Sequence, residues 1–258
     1  MILTIDVGNT NVVMGCVEDG KIVCRSRMAT NPNDLSSDYA LKMRQSLEFE
    51  NIDFRSIDGA ILSSVVPQLN LVIKTAVKKL TGLDCIVVGA GIKTGMNVKI
   101  DDPGTLAGDL ITGAVGAAAL YKPPLIVVDM GTATTVVAID RDGAYIGGAI
   151  VPGVKLSYSA LASGTSLLPN ISIEAPQRCI GTNTVDSMKS GAVFGTAAMI
   201  DGMIDRMEAE LNAPVIVVAT GGLSGCIIPY CRRRIEYEPD LLLKGLAILY
   251  QKNAKHKK

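Results

Sequence analysis

Short runs of aliphatic and β-branched residues recur along the chain, at 2–7, 59–65, 85–88, 125–129, 134–139 and 215–219. They are nearly free of charge and bounded by Gly, Asn, Asp or Thr. Runs of this length predict strands buried on both faces. Between them the apolar positions spread to a three-to-four spacing, which predicts helices over 39–49, 69–80, 106–120, 184–211 and 241–253. Strands alternating with helices make the fold class α/β.

The pattern repeats within the chain. Shifted by 123 residues, 3–23 lies on 126–146 without a gap, so that Asp6 falls on Asp129, Gly8 on Gly131, Val13 on Val136, Asp19 on Asp142 and Gly20 on Gly143. Each copy reads as an apolar strand ending in Asp-x-Gly, a polar turn, a second strand, an Asp-Gly hairpin turn and a third strand. A duplication follows, with two similar domains near 1–118 and 119–258. The period is too long for a solenoid.

Composition narrows the chemistry. Of 258 residues, 25 are Lys or Arg and 25 are Asp or Glu, so the formal net charge is zero, which argues against a general nucleic-acid binder. The single His is His256, in a Lys-rich tail that reads as solvated, so His-based triads and zinc sites are excluded. Acid–base work would fall to carboxylates, Lys, Tyr or Cys. The six cysteines form no CxxC pair and read as reduced, buried small hydrophobes. The start meets an acid at Asp6, unlike a signal peptide, and no apolar run is long enough to span a bilayer. A soluble cytoplasmic protein with no membrane partner is expected.

Four segments carry candidate chemistry. In 6–11, Asp6 can hold a hydrated Mg²⁺, Gly8 allows close backbone approach, and Asn9, Thr10 and Asn11 supply small donors around a turn whose amides can form an anion nest. The segment 129–135 offers the same set through Asp129, Gly131 and Thr132. Either set alone is also ordinary turn composition; two in related domains, able to face each other across a cleft, favour a ligand. The third, Gly221-Gly222 after a strand, would let a flat ring approach the backbone, or would simply make a tight turn into a helix near Ser224. The fourth is Asp109, a lone carboxylate on a helix of small apolar residues. It reads either as a first-turn acid complementing the helix dipole or as a base for a substrate hydroxyl. The stretch 89–95 resembles GxGxxG, but its last Gly is one place late and no clear helix follows. No GxxxxGK[ST] occurs.

Together these segments resemble the type III pantothenate kinases of the acetate and sugar kinase/Hsp70/actin superfamily. The resemblance runs over nearly the whole chain and includes 147–153 (GGAIVPG), 183–188 (NTVDSM), 219–222 (ATGG) and 238–246 (EPDLLLKGL). It implies two ribonuclease H-like (actin-like ATPase) domains with a cleft between them, and ATP-dependent phosphorylation of pantothenate in coenzyme A synthesis. Asp6, Val7, Gly8, Asn9, Thr10, Asn11, Val12 and Val13 would bind ATP phosphates and Mg²⁺, with Gly131, Thr132, Gly221 and Gly222 as further ATP contacts. Asp129 would hold a monovalent cation, K⁺ or NH₄⁺. Asp109 would be the catalytic base, and Ala107, Gly108, Leu110 and Thr184 would line the pantothenate site of a homodimer. The chain departs from the family pattern at Leu110, where Arg is usual, at Ile100, where Tyr is usual, and at Gly164, where a basic residue is common. A nucleotide-binding regulator and a phosphohydrolase of the same fold are the alternatives.

Overall fold

The computed structural model describes residues 1–254; the tail with His256 lies outside the described residues. The chain divides into two compact units. The first holds Met1–Asn97, Asp101–Ala119 and the chain from Asp240 onwards; the second holds Val98–Ile100 and Leu120–Pro239.

In the first unit, strands β1 (Ile2–Val7), β2 (Asn11–Glu18), β3 (Lys21–Ala29), β4 (Gly59–Ser64) and β5 (Cys85–Val87) form one sheet in the order β3-β2-β1-β4-β5. The three meander strands are antiparallel, whereas β4 and β5 run parallel to β1. One face packs Leu3, Ile5, Val7, Ala60 and Leu62 against helices α1 (Ser36–Phe49) and α2 (Pro67–Thr81), which contribute Tyr39, Met43, Leu47, Leu69 and Ile73. Pro67 starts α2, where its missing N–H costs nothing, and Gly82 ends it with a φ of 76° that suits glycine. Helix α3 (Gly108–Leu120) carries Asp109 in its first turn.

The second unit repeats the plan. Strands β6 (Leu125–Met130), β7 (Ala133–Ile139), β8 (Tyr145–Pro152), β9 (Ile216–Thr220) and β10 (Glu236–Tyr237) run in the order β10-β9-β6-β7-β8, the same sequence of first, second, third, fourth and fifth strand. Its core joins Ile126, Val128, Val136, Val217 and Ala219 to Val193, Ala197, Ile200 and Ile204. Helix α4 is Val154–Ser163. Helices α5 (Thr184–Ser190) and α6 (Thr196–Leu211) are separated by one wide π turn over Gly191–Gly195, where a single helix over 184–211 is expected from the sequence. Helix α7 (Ser224–Ile227) follows the Gly-Gly turn. Among the described residues, no helix is long and apolar enough to cross a membrane.

Three sequence expectations need correction. First, the repeat is not gapless in space. Asp6 pairs with Val13, but Asp129 pairs with Thr135, so Val13 and Val136 are not equivalent. The first polar turn is one residue longer than the second, and the next hairpin compensates. The skipped residues at the bulges, Val23 and Ile146, then fall back on the 123-residue offset, as do Gly20 and Gly143 with φ of 76° and 77°. Second, residues from Asp240 onwards do not belong with 119–239. Helix α8 (Leu241–Asn253) buries Leu241, Leu243, Leu246 and Leu249 in the first unit. It fits because facing positions are small: a Cβ on Gly59 would run into the Tyr250 ring, one on Gly116 would stand 2.7 Å from Leu241 O, and one on Gly245 would run into Thr112 O. Third, burial of the cysteines is uneven. Cys16, Cys24 and Cys85 are buried, Cys179 and Cys226 are exposed, and all six thiols are free.

Candidate functional site

At the end of β1 the chain must reverse over a few residues, and the polar segment after Asp6 does so. Gly8 N donates to Asn11 O at 2.9 Å, closing the turn. Thr30, just beyond β3, ties it down: its hydroxyl donates to Gly8 O at 2.6 Å and its N–H to Thr10 O at 3.0 Å. Nothing in the sequence singles Thr30 out, because a Thr after a strand is ordinary. Asn9 and Thr10 are exposed at the tip, while Asp6 and Asn11 are half-buried. Val7 and Val12 point into the core at 1% and 0% exposure, so only their main chain is available to a ligand. Val13 lies opposite Asp6.

Asp6 is also level with Ser63 of β4. A Cβ on Gly108 would stand 3.2 Å from Ser63 Oγ, so the start of α3 rests on the same end of the sheet. The structure thereby brings Ala107, Gly108, Asp109 and Leu110 to the strand ends that carry Asp6. Asp109 is half-buried, and its Oδ1 accepts Leu110 N at 2.8 Å. Burial pushes its carboxyl pKa up, partly offset by the N–H groups of Leu110 and of Asp109 itself. Nothing in the sequence singles Ser63 out, because a serine in an apolar strand has no distinctive pattern.

The second turn is tighter. Gly131 N donates to Ala133 O at 3.0 Å, and Gly153 N, at the start of α4, donates to Thr132 O at 3.1 Å. Gly153 must be glycine because a Cβ there would run into the carbonyl oxygens of Gly131 and Thr132. Gly221 packs equally closely. Its φ is 94°, and a Cβ would lie 2.5 Å from both Asp129 Oδ1 and Met130 N. Asp129, Gly131, Thr132 and Gly221 are thus one cluster, built from the ends of β6 and β9 and the start of β7, with Gly222 following exposed in the turn.

Thr184 stands apart from that cluster's contacts. It is exposed at the start of α5, whose Asn183 cap accepts Asp186 N at 2.9 Å. It lines a cavity of about 550 Å³ with Tyr158, Leu161, Leu168 and Ser187. Burial raises the Tyr158 phenol pKa. Nothing in the sequence singles Tyr158 out, because α4 buries only Val154 and carries no apolar stripe.

The donor sets suit the expected ligands. One half-buried carboxylate beside a hydroxyl-bearing strand matches Mg²⁺, which takes one or two carboxylates and fills the rest with water and phosphate oxygens. The carbonyl-rich turn at 131–132 beside Asp129 offers hard oxygen donors of the kind K⁺ accepts. Gly8 and Gly131 suit close backbone approach, whereas Gly153 and Gly221 let the protein's own atoms pack against the second turn.

Residues 2–206 match the family model for type III pantothenate kinase. The type III pantothenate kinase of Moorella thermoacetica is 40% identical over 253 residues, 98% of this chain and 100% of that one. That of Halalkalibacterium halodurans is 41% identical over 253 residues with the same coverage. Among solved structures, component A of the (R)-2-hydroxyglutaryl-CoA dehydratase of Acidaminococcus fermentans aligns with a TM-score of 0.57 at 17% identity over 96% of each chain. A candidate 2-dehydro-3-deoxygalactonokinase of Sinorhizobium meliloti aligns with a TM-score of 0.58 at 12% identity, over 100% of this chain and 99% of that one. These structural likenesses speak for the fold alone.

Proposed function

The chain belongs to the type III pantothenate kinase family, and from that premise we propose that it phosphorylates the primary alcohol of pantothenate with ATP, giving 4'-phosphopantothenate for coenzyme A synthesis. The observation that carries this reading is Asp109. It is the one carboxylate on α3, its pKa is raised by burial, and its helix starts against the strand that pairs with Asp6.

Phosphoryl transfer relies on positioning and charge stabilisation rather than covalent intermediates. Asp109 accepts the proton of the acceptor hydroxyl. The freed oxygen bonds to the γ-phosphorus as the bond to the β–γ bridging oxygen breaks and ADP leaves. Main-chain groups of the turn at 8–11 hold phosphate oxygens of ATP, and Gly131 and Thr132 are further ATP contacts. When bound, Mg²⁺ supplies neutralisation of the charge that develops on the phosphoryl oxygens; Asp6 is the residue that would hold it. Asp129 would hold K⁺ or NH₄⁺. Gly222, exposed in the turn after β9, gives the nucleotide a close approach to the backbone, Gly221 seats that turn against Asp129, and Thr184 contacts pantothenate.

The active form is a homodimer in the cytoplasm. Exposed apolar side chains on the second unit support a covering copy: Leu167 is 89% exposed, Ile180 82% and Ile150 70%.

ADP release from ATP, with and without pantothenate in K⁺ buffer, tests the reading. Release that depends on pantothenate is the expected result. Release without it points to a phosphohydrolase, and no release to a nucleotide-binding regulator, the outcome that Leu110 in place of the usual Arg would favour.

A further inference from the structure

Ser63 is fully buried, yet its Oγ has no hydrogen-bond partner within the protein. Its neighbour Ser64 accepts Val66 N at 3.1 Å, so a wasted hydroxyl is not a property of the segment. A buried hydroxyl without a partner is destabilising, and this one sits where the chemistry is expected. Paired residues of adjacent strands project from the same face, so Ser63 and Asp6 share a face. That face lies opposite the one on which Leu3, Ile5 and Leu62 pack. The first turn of α3 lies directly over it, 3.2 Å from Ser63 Oγ to where a Gly108 Cβ would stand, with Val88 alongside. Two acceptors of that turn are taken: Gly108 O by the Thr112 hydroxyl at 2.6 Å and Ala107 O by Ile111 N at 3.3 Å. The carboxylate of Asp109, which accepts Leu110 N at 2.8 Å, has acceptor capacity left.

We infer that Ser63 is a positioning residue for Asp109: when the acceptor binds, the first turn of α3 settles onto β4 and the Ser63 hydroxyl donates to the Asp109 carboxylate. The hydroxyl is then a burden in the free protein and an asset in the substrate complex. This rests on the kinase reading, in which Asp109 is the base.

The test compares the full-length protein with Ser63→Ala and Ser63→Cys, the second keeping the volume but offering only a weak donor. Three quantities are measured: the melting temperature without ligands, the Kd for Mg²⁺–ATP without pantothenate, and kcat and KM for pantothenate. Both variants should melt at or above the wild-type temperature and bind Mg²⁺–ATP as wild type does. Their kcat should fall about 10- to 100-fold, the scale of one hydrogen bond to a charged group, with KM little changed. Unchanged kcat in Ser63→Ala overturns the inference. So does a lower melting temperature or failure to fold, since either makes the hydroxyl structural. The kinase reading fails separately, if the wild-type protein itself shows no pantothenate-dependent ADP release.

Discussion

Replacing Gly221 by Ala is the sharpest probe of the second cluster. The residue has a φ of 94°, where an L side chain crowds its own backbone, at a cost of about 1–2 kcal/mol. The new Cβ would also stand 2.5 Å from Asp129 Oδ1 and from Met130 N, about 1 Å inside ordinary contact. The main-chain atom belongs to β6 and cannot rotate away, so overpacking adds about 1–3 kcal/mol. The sum, about 2–5 kcal/mol, corresponds to a fall in melting temperature of about 4–20 °C at about 2–4 °C per kcal/mol. Relief of the clash requires the Asp129 carboxylate to move, so Mg²⁺–ATP affinity and the K⁺ response should weaken together. Gly89→Ala is the control. It lies in the stretch that resembles a dinucleotide motif, and a Cβ there meets nothing within 4 Å, so its effect should stay within about 0.5 kcal/mol. Thermal unfolding and titration calorimetry measure both variants. A Gly221→Ala protein as stable and as avid for Mg²⁺–ATP as Gly89→Ala would refute the reasoning.

Asp109→Asn should lower turnover by about 10²- to 10⁴-fold with ATP binding retained; steady-state kinetics with calorimetry checks it. The same variant should melt higher than wild type at neutral pH. Burial raises the Asp109 pKa, so its penalty is absent below the ordinary carboxylate range and grows as pH rises through the folded value; melting curves from acid to neutral pH should show the gap opening upward. Asp129→Ala should weaken ATP use and flatten K⁺ activation, and an unaltered K⁺ titration would remove the cation role. Gly245→Ala should destabilise the first unit by about 1–3 kcal/mol despite the better helix propensity of Ala, because its Cβ would meet Thr112 O; urea unfolding reads this directly.

Much of the fold is legible in residue pattern. The apolar runs become strands, and Asp19-Gly20 and Asp142-Gly143 mark true hairpins, with Gly20 and Gly143 in matching conformations. What the pattern misses has physical causes. Helix α4, VKLSYSALAS, has a buried residue only at Val154 and thus no apolar stripe to read. The register of β7 slips by one against β2 because turn length is set by local bonding, Gly8 to Asn11 against Gly131 to Ala133, and not by letter identity. Helix α8 follows the second unit in sequence but packs by shape, onto Gly59, Gly116 and Gly15. At the site, Asp109 stands out because a carboxylate on a helix of Ala, Gly, Val and Ile has few structural reasons to be there. Ser63 and Thr30 do not, since their significance lies in partners far along the chain.

The return of α8 to the first unit has a consequence for biosynthesis. Residues 1–119 leave the ribosome early, but the helix that covers their sheet is made only after the whole of Leu120–Pro239. At about 5–20 residues per second those 120 residues take about 6–24 s. Throughout that interval the places where Leu243 and Tyr250 will lie, over Gly15 and Gly59, are uncovered in the nascent chain. A chain stalled before Asp240 therefore displays an open apolar face to chaperones and proteases, while one extended past Asn253 covers it. Closure of the first unit thus acts as a check that translation has passed Asn253.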